Sequence, residues 1–385
     1  MALRLVASRH RTRDPERWST MCGRPRLITG GLLLLPVALL MADKLSGQGV
    51  RLAPLMVAAP ALAAVFCSPA GVLAVTLVTV PCVVLTAKVN LVVGWANFYA
   101  QLGALLLISL GAVGASRIRE RRENQLAHTR AVAEVTQRVL LKPLPPQLGD
   151  LSLASVYVAA DEEASVGGDV YGVADLGGQV RILIGDAHGK GLAALETASY
   201  VVSAFRRAVR RRCSLCAMVT DLEEDFTDDL RASSVDRRED AGRYLALEEF
   251  VTAVILEVPD KGDGPMLMVN LGHPPPLLID GGRVVPLEPT APAPPLGLGD
   301  LGCDGPRADT VDFPPGATVL LYTDGVIEAR NRAGDFYPLA DRLPTWAQLP
   351  PQALIEAVHT DLRRHVGRRL GDDVALVAIH RAKAD

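Results

Sequence analysis

Between residues 27 and 114 the chain almost lacks charge, with only Asp43, Lys44, Arg51 and Lys88 among its acids and bases. That excludes a water-facing surface along most of the segment. Cysteine is also scarce: six are scattered through the 385 residues in no framework spacing, which excludes a disulfide-stapled domain. Cys213 and Cys216 form a single CxxC inside a predicted helix, with no second pair to complete a zinc site. Positive charge is missing where a nucleic-acid binder would need it. Residues 1–26, 27–114 and 115–142 carry +5, +2 and +4 of an overall −3, leaving −14 on residues 143–385. A domain so acidic has no basic surface to displace counterions, so no nucleic-acid partner is expected. A phosphate loop is excluded too. In "VRILIGDAHGKG" (180–191) the span from Gly185 to Gly189 is one residue short of a Walker A loop, and Gly191 stands where its Ser or Thr belongs.

What is present divides the chain. Residues 27–42 and 91–114 are almost wholly apolar, and so is the longer run 52–87. A span needs roughly 20 apolar residues, so the long run predicts a tight hairpin of two slightly short helices turning at Ser68-Pro69-Ala70-Gly71. Four spans follow. No small-residue cleavage site follows the first stretch, which argues against a cleaved signal peptide. Arginines crowd both outer flanks, "RHRTRDPERW" and "RIRERRE", and the positive-inside rule places those flanks in the cytoplasm. The expected organisation is a basic cytoplasmic N-terminus (1–26), a multi-pass region of the cell membrane (27–114), a helical linker (115–145) and a cytoplasmic catalytic domain (146–385).

Residues 117–141 read as one helix leaving the membrane and stopped by "KPLPP". Ala131, Val132, Val135 and Val139 form a narrow apolar stripe on it, which fits either a solvated spacer or a pairing helix in a homodimer. His128 lies on this helix, but no nucleotide-binding Asn box or ATP lid follows, so a histidine-kinase reading is excluded. From 151 onward short strands succeed one another: "LSLASVYVAA", "GQVRILIGDA", "EEFVTAVILEV", "PMLMVNLGH", "ATVLLYTDG" and "DDVALVAIH". Helices are predicted at about 191–212, 216–231 and 351–366. Strands in sequence with helices grouped apart favour an α+β sandwich over a doubly wound sheet.

Aspartates recur where these strands end: Asp169, Asp186, Asp324 and the pair Asp372-Asp373, each with a glycine beside it or one residue away. One such Asp is a turn residue. Four sites flanked by buried strands suggest convergence, and converging carboxylates repel unless cations neutralise them. Oxygen ligands select a hard ion, Mg²⁺ or Mn²⁺. Two such ions activate water and clamp a phosphoryl group.

The ordered set "VGGDVYGV", "IGDAHGKGLAA", "FVTAVILEV", "NLGHPPPLL", "PLGLG", "FPPGATVLLYTDGVIEARN" and "GDDVALVAI" resembles metal-dependent serine/threonine phosphatases of type 2C. It is most similar to the bacterial branch that includes the sporulation phosphatase SpoIIE, over about residues 138–381. The resemblance implies two packed β-sheets flanked by helices, with two Mn²⁺ or Mg²⁺ ions at one edge. It implies that Asp186 bridges both metals and that the Ala187 carbonyl binds one. Asp169 would hold the second metal, and Asp324 with Asp372 or Asp373 would complete the first. Water would attack phosphoserine or phosphothreonine directly, on a phosphorylated anti-sigma-factor antagonist. His188 falls where some relatives place a general acid; the alternative is a turn residue capping the next helix. His273 in "NLGHPPP" is expected to hold a loop near the site. Gly172 departs from the pattern, standing where the branch often has a second Asp, and keeps open a non-catalytic receptor that binds a phosphoprotein.

Overall fold

The computed structural model describes residues 16–45, 53–89, 96–160, 167–211, 213–237, 249–301, 305–367 and 370–383. They fall into two compact units, Met1–His128 and Thr129–Asp385.

In the first unit α1 (Glu16–Leu45), α2 (Ala58–Phe66) and α3 (Pro69–Val89) precede a 45-residue helix, α4 (Ala96–Leu140). Among the described residues, three helices are long and apolar enough to cross a membrane, over Ile28–Leu45, Pro69–Lys88 and Ala96–Gln125. The expected hairpin turns at Cys67-Ser68, but its arms are unequal. The first arm is only the apolar stretch Pro54–Phe66, a 3₁₀ turn followed by α2. Thirteen helical residues rise about 20 Å, short of a hydrocarbon core of about 30 Å. The predicted linker helix is not separate, because the last long apolar helix continues unbroken to Leu140. The side chains of His128 and of the Ala131–Val139 stripe lie outside the described residues.

Arg119 joins three of these elements. Its guanidinium donates to the carbonyls of Ala64 (2.8 Å), Val65 and Cys67 (2.6 Å), which are the orphan acceptors at the end of α2. Ser116 donates to the same Cys67 carbonyl, and Thr29 Oγ1 lies 3.4 Å from Cys67 Sγ. The start of the apolar part of α1, the α2–α3 turn and the arginine-rich part of α4 therefore share one end of this unit.

The second unit holds two antiparallel sheets. Its elements are β1 (Gln147–Leu148), β2 (Leu151–Val158), β3 (Asp169–Asp175), β4 (Gln179–Ala187), α5 (Leu192–Val209), α6 (Leu215–Arg237), β5 (Val251–Pro259) and β6 (Met266–Leu271). They continue with β7 (Leu277–Asp280), β8 (Arg283–Pro286), β9 (Asp309–Val311), β10 (Thr318–Tyr322), α7 (Asp324–Ile327), α8 (Leu339–Arg342), α9 (Pro351–Val366) and β11 (Val374–Arg381). One sheet runs β1-β2-β11-β10-β7-β8 and the other β3-β4-β5-β6-β9.

Period-two alternation assigns the faces. On β4, Val180, Ile182 and Ile184 enter the core between the sheets, while Leu183 faces α5 and α6. On β11, Ala375, Val377 and Ile379 point to the same inter-sheet core, and Val374, Leu376 and Ala378 point to α9. The result is the α-β-β-α sandwich that the strand order predicts.

One position on the helix side of β4 breaks the apolar rule. Arg181 is paired with Glu257 across the β4–β5 ladder at 2.6 Å, both groups buried, and Arg181 also donates to the Cys213 carbonyl. Removing one partner strands the other charge in the core. Arg181→Met is expected to cost about 3–5 kcal/mol in urea unfolding, and adding Glu257→Met should recover most of it. A single variant as stable as the parent would show that the pair carries no stabilising load.

Candidate metal centre

The β3–β4 register sets Asp169 directly opposite Asp186. Like charges facing each other across an antiparallel pair are destabilising. Asp169 is buried, and its Oδ2 accepts a hydrogen bond of 2.8 Å from the Thr323 hydroxyl. Thr323 is itself fixed by β11: its hydroxyl accepts from the Ala375 N–H (2.9 Å) and its own N–H donates to the Ala375 carbonyl. The next residue, Asp324, opens α7, so a carboxylate from the six-stranded sheet is brought to the pair from the five-stranded one. Gly325 lies against the Asp373 carbonyl, which a Cβ there would meet at 1.8 Å.

The carboxylates sense one another. Burial, then Asp324, Asp372 and Asp373, push the pKa of Asp186 up to about 7. Burial, then Asp186, hold Asp169 well above the usual carboxylate range. Asp324 is raised by burial, with Glu328 and Asp372 adding to it. Burial also raises Asp373, opposed by hydrogen bonds from the Ala160 N–H and the Tyr157 hydroxyl. Among the described residues, no three His, Cys, Asp or Glu side chains lie close enough to enclose a metal ion where they stand. The five aspartates interact electrostatically without converging on a point.

Asp372 and Asp373 are not equivalent. Asp372 is exposed, and its Oδ1 accepts the Asp373 N–H at 2.9 Å. Its charge is felt by Asp186 and Asp324. Asp373 is buried; its Oδ1 accepts from the Ala160 N–H at 2.6 Å. Its Oδ2 is buried with no well-formed hydrogen bond among the described residues.

A hard cation fits this donor set. The candidate ligands are carboxylate and carbonyl oxygens, and an orphaned buried oxygen lies among them. The backbone is also cut close for it. A Cβ on Gly168 would stand 2.3 Å from the Ala187 carbonyl oxygen, and one on Gly167 would stand 1.1 Å from Asp373 Oδ2. Only glycine permits that approach. Gly172 faces elsewhere: a Cβ there would meet the Phe205 ring at 3.4 Å, on the α5 side of the sheet.

His188 is exposed and stacks on Phe250, with ring centroids 4.5 Å apart and planes 9° from parallel. Its backbone N–H donates to the Phe250 carbonyl. It does not cap α5, whose N-cap is Gly191 with no side-chain bond, so the capping role is corrected. His273 sits in the loop after β6. Its Nδ1 lies 3.0 Å from Thr252 Oγ1, and its Nε2 lies 3.2 Å from the Tyr322 carbonyl, two residues before Asp324. A carbonyl only accepts, so Nε2 carries the proton and Nδ1 accepts from Thr252.

Burial lowers the His273 pKa to about 4 from 6.5, so the ring is neutral. The unfolded chain binds a proton near pH 6.5 that the folded chain refuses, so this stabilisation is present above 6.5 and lost as pH falls toward 4. His273→Gln should flatten the stability loss between pH 7 and pH 5 by about 2 kcal/mol in urea unfolding. Parallel pH profiles for the two proteins would count against a neutral buried ring.

Three residues at the site escaped sequence reasoning. Thr323 carried a weak signal, a hydroxyl directly before Asp324. Tyr157 and Gln137 carried none, since they reach Asp373 only through long-range contacts.

The described site and the sandwich around it define the class of fold. A solved structure of the RsbU and RsbW domains of Rv1364c from Mycobacterium tuberculosis matches with a TM-score of 0.50 at 24% identity, covering 64% of this chain and 64% of that one. The SiaA-PP2C domain of Pseudomonas aeruginosa matches with a TM-score of 0.49 at 18% identity, over 71% of this chain and 100% of that one. The chain thus spans just under two thirds of the first of these. The profile of Stage II sporulation protein E (SpoIIE) matches residues 176–382, more than half of the sequence. The chain belongs to the SpoIIE family. The matched span includes Asp186, Asp324, Asp372 and Asp373 and begins just after Asp169.

Proposed function

We propose that this chain is a membrane-anchored, metal-dependent phosphatase of phosphoserine and phosphothreonine in a protein. The observation that carries the reading is the Asp169–Asp186 cross-strand pair, joined by Asp324 and Asp372 from the other sheet. A buried and a half-buried carboxylate in ladder register are intelligible as a binding site for divalent cations and costly as anything else. Asp169, Asp186, Asp324 and Asp372, with the Ala187 carbonyl, would hold the ions. When bound, Mn²⁺ or Mg²⁺ supplies charge neutralisation, polarisation of the phosphoryl group and acidification of water.

The chain's own residues do the rest. Thr323 fixes the free rotation of Asp169 by its hydrogen bond. Exposed His188, parked on Phe250, stands four residues before α5 and would hold the proton for the departing serine or threonine oxygen. The charge of exposed Lys190 acts on Asp373 and would favour an approaching phosphate. The substrate that fits the family is a small phosphorylated regulator of the anti-sigma-factor antagonist type.

Membrane anchoring rests on the three long apolar helices. A cytoplasmic catalytic unit rests on the shared end defined by Thr29, Cys67 and Arg119 and on the arginines around it. Chain that enters and leaves that end at the same level has crossed an even number of times, α2 being the short return. The test is phosphate release from a phosphoserine protein with and without Mn²⁺. Release that needs Mn²⁺ supports the enzyme; tight binding of the phosphoprotein with no release would instead make the chain a receptor.

A further inference from the structure

Gln137 lies on the last turns of α4, one turn before Leu141, which is buried in the inter-sheet core. The Gln137 amide is itself buried, and its Nε2 donates to Tyr157 Oη at 2.6 Å and to the Gly167 carbonyl at 3.3 Å. The carbonyl can only accept, so the orientation of the amide is settled and both of its hydrogens are used. Tyr157 Oη, already accepting from Gln137, is left with its own hydrogen to donate. The Asp373 carboxylate lies beside it, its Oδ2 buried and without a well-formed hydrogen bond among the described residues. Gly167, Tyr157 Oη and Asp373 Oδ2 share one small volume: a Cβ on Gly167 would lie 1.1 Å from Oδ2 and 2.8 Å from Oη.

We infer that Tyr157 and Gln137 are positioning residues that hold Asp373, and through it Asp372, in place for divalent-cation binding. The inference rests on the two-metal reading above and extends it to residues outside the carboxylate group. Asp373 is the joint. One oxygen takes the Ala160 N–H, the other meets Gly167 and Tyr157, and its backbone N–H donates to the Asp372 carboxylate. A shift of the Asp373 backbone would therefore move the hydrogen bond that holds the Asp372 carboxylate. Neither Tyr157 nor Gln137 would touch an ion or the substrate. Their effect is on affinity, through the orientation of a neighbour, and not on the chemical step.

The full-length chain in detergent micelles would be titrated with Mn²⁺ and free Mn²⁺ read by electron paramagnetic resonance. Tyr157→Phe keeps the ring and removes the hydroxyl; it is expected to weaken Mn²⁺ binding about tenfold, the usual effect of losing an outer partner of a metal ligand. The rate at saturating Mn²⁺ should stay close to that of the parent. Gln137→Leu should act in the same direction. The double variant should be little weaker than Tyr157→Phe alone, because both act through one carboxylate. Unchanged Mn²⁺ affinity in both folded single variants overturns the inference and leaves the two-metal reading intact, as does a lower saturated rate at unchanged affinity. A parent chain that takes up no Mn²⁺ overturns the two-metal reading, and the inference falls with it.

Discussion

Asp186→Asn is expected to remove Mn²⁺-dependent phosphate release while raising the stability of the metal-free protein. The two effects have one cause. Asp186 faces Asp169 in the ladder and is further crowded by Asp324, Asp372 and Asp373. Amidation relieves that repulsion by up to about 1 kcal/mol, the scale of a cross-strand pair. On the proposed metal reading it also deletes an anionic ligand of a hard cation at nearly constant side-chain volume. The loss of rate should exceed the roughly 100-fold that an outer partner costs. Asp324→Asn should lose activity in the same way. Cys213→Ser should change little, because the half-buried thiol lies against Asp221 on α6, and the bond from Arg181 goes to the Cys213 backbone carbonyl, which the change keeps. Activity that persists without divalent metal, or that dies with Cys213, would sink the mechanism.

His188→Ala is the second large effect. If His188 protonates the departing oxygen, the rate on a phosphoserine protein falls by about 10²-fold or more. Nitrophenyl phosphate, whose leaving group departs without a proton, should lose far less. The variant should remain folded, since the ring is exposed and its main contact is the Phe250 face. Equal losses on both substrates would assign His188 to holding Phe250 and not to proton transfer.

The strands that position the site were legible because β4, β5, β10 and β11 are long runs whose branched residues alternate between two buried faces. The helices α5 and α9 were legible from their periodic apolar faces. Short strands were not: β1, β8 and β9 have two to four residues and exist through pairing with a neighbour. The hairpin in the 52–87 run was legible, but not the unequal lengths of its arms. Ser68 and Pro69 mark the turn, but the 3₁₀ start at Ala53–Val57 shortens the first arm. At the site, glycines flagged the aspartates. The contrast between exposed Asp372 and buried Asp373 was invisible, because it depends on Ala160, Tyr157 and Gly167, which are far away in sequence.

The pairing of β11 with β2 on one side and β10 on the other has a consequence for biosynthesis. β11 follows every other described strand in chain order yet is an interior strand of its sheet, and Asp372 and Asp373 immediately precede it. A ribosome-bound chain that has yet to release residues 372–381 has a gap in the six-stranded sheet, an unsupported Thr323 and no carboxylates from β11. On the proposed reading, the carboxylate site is therefore complete only after residues 372–381 have left the ribosome.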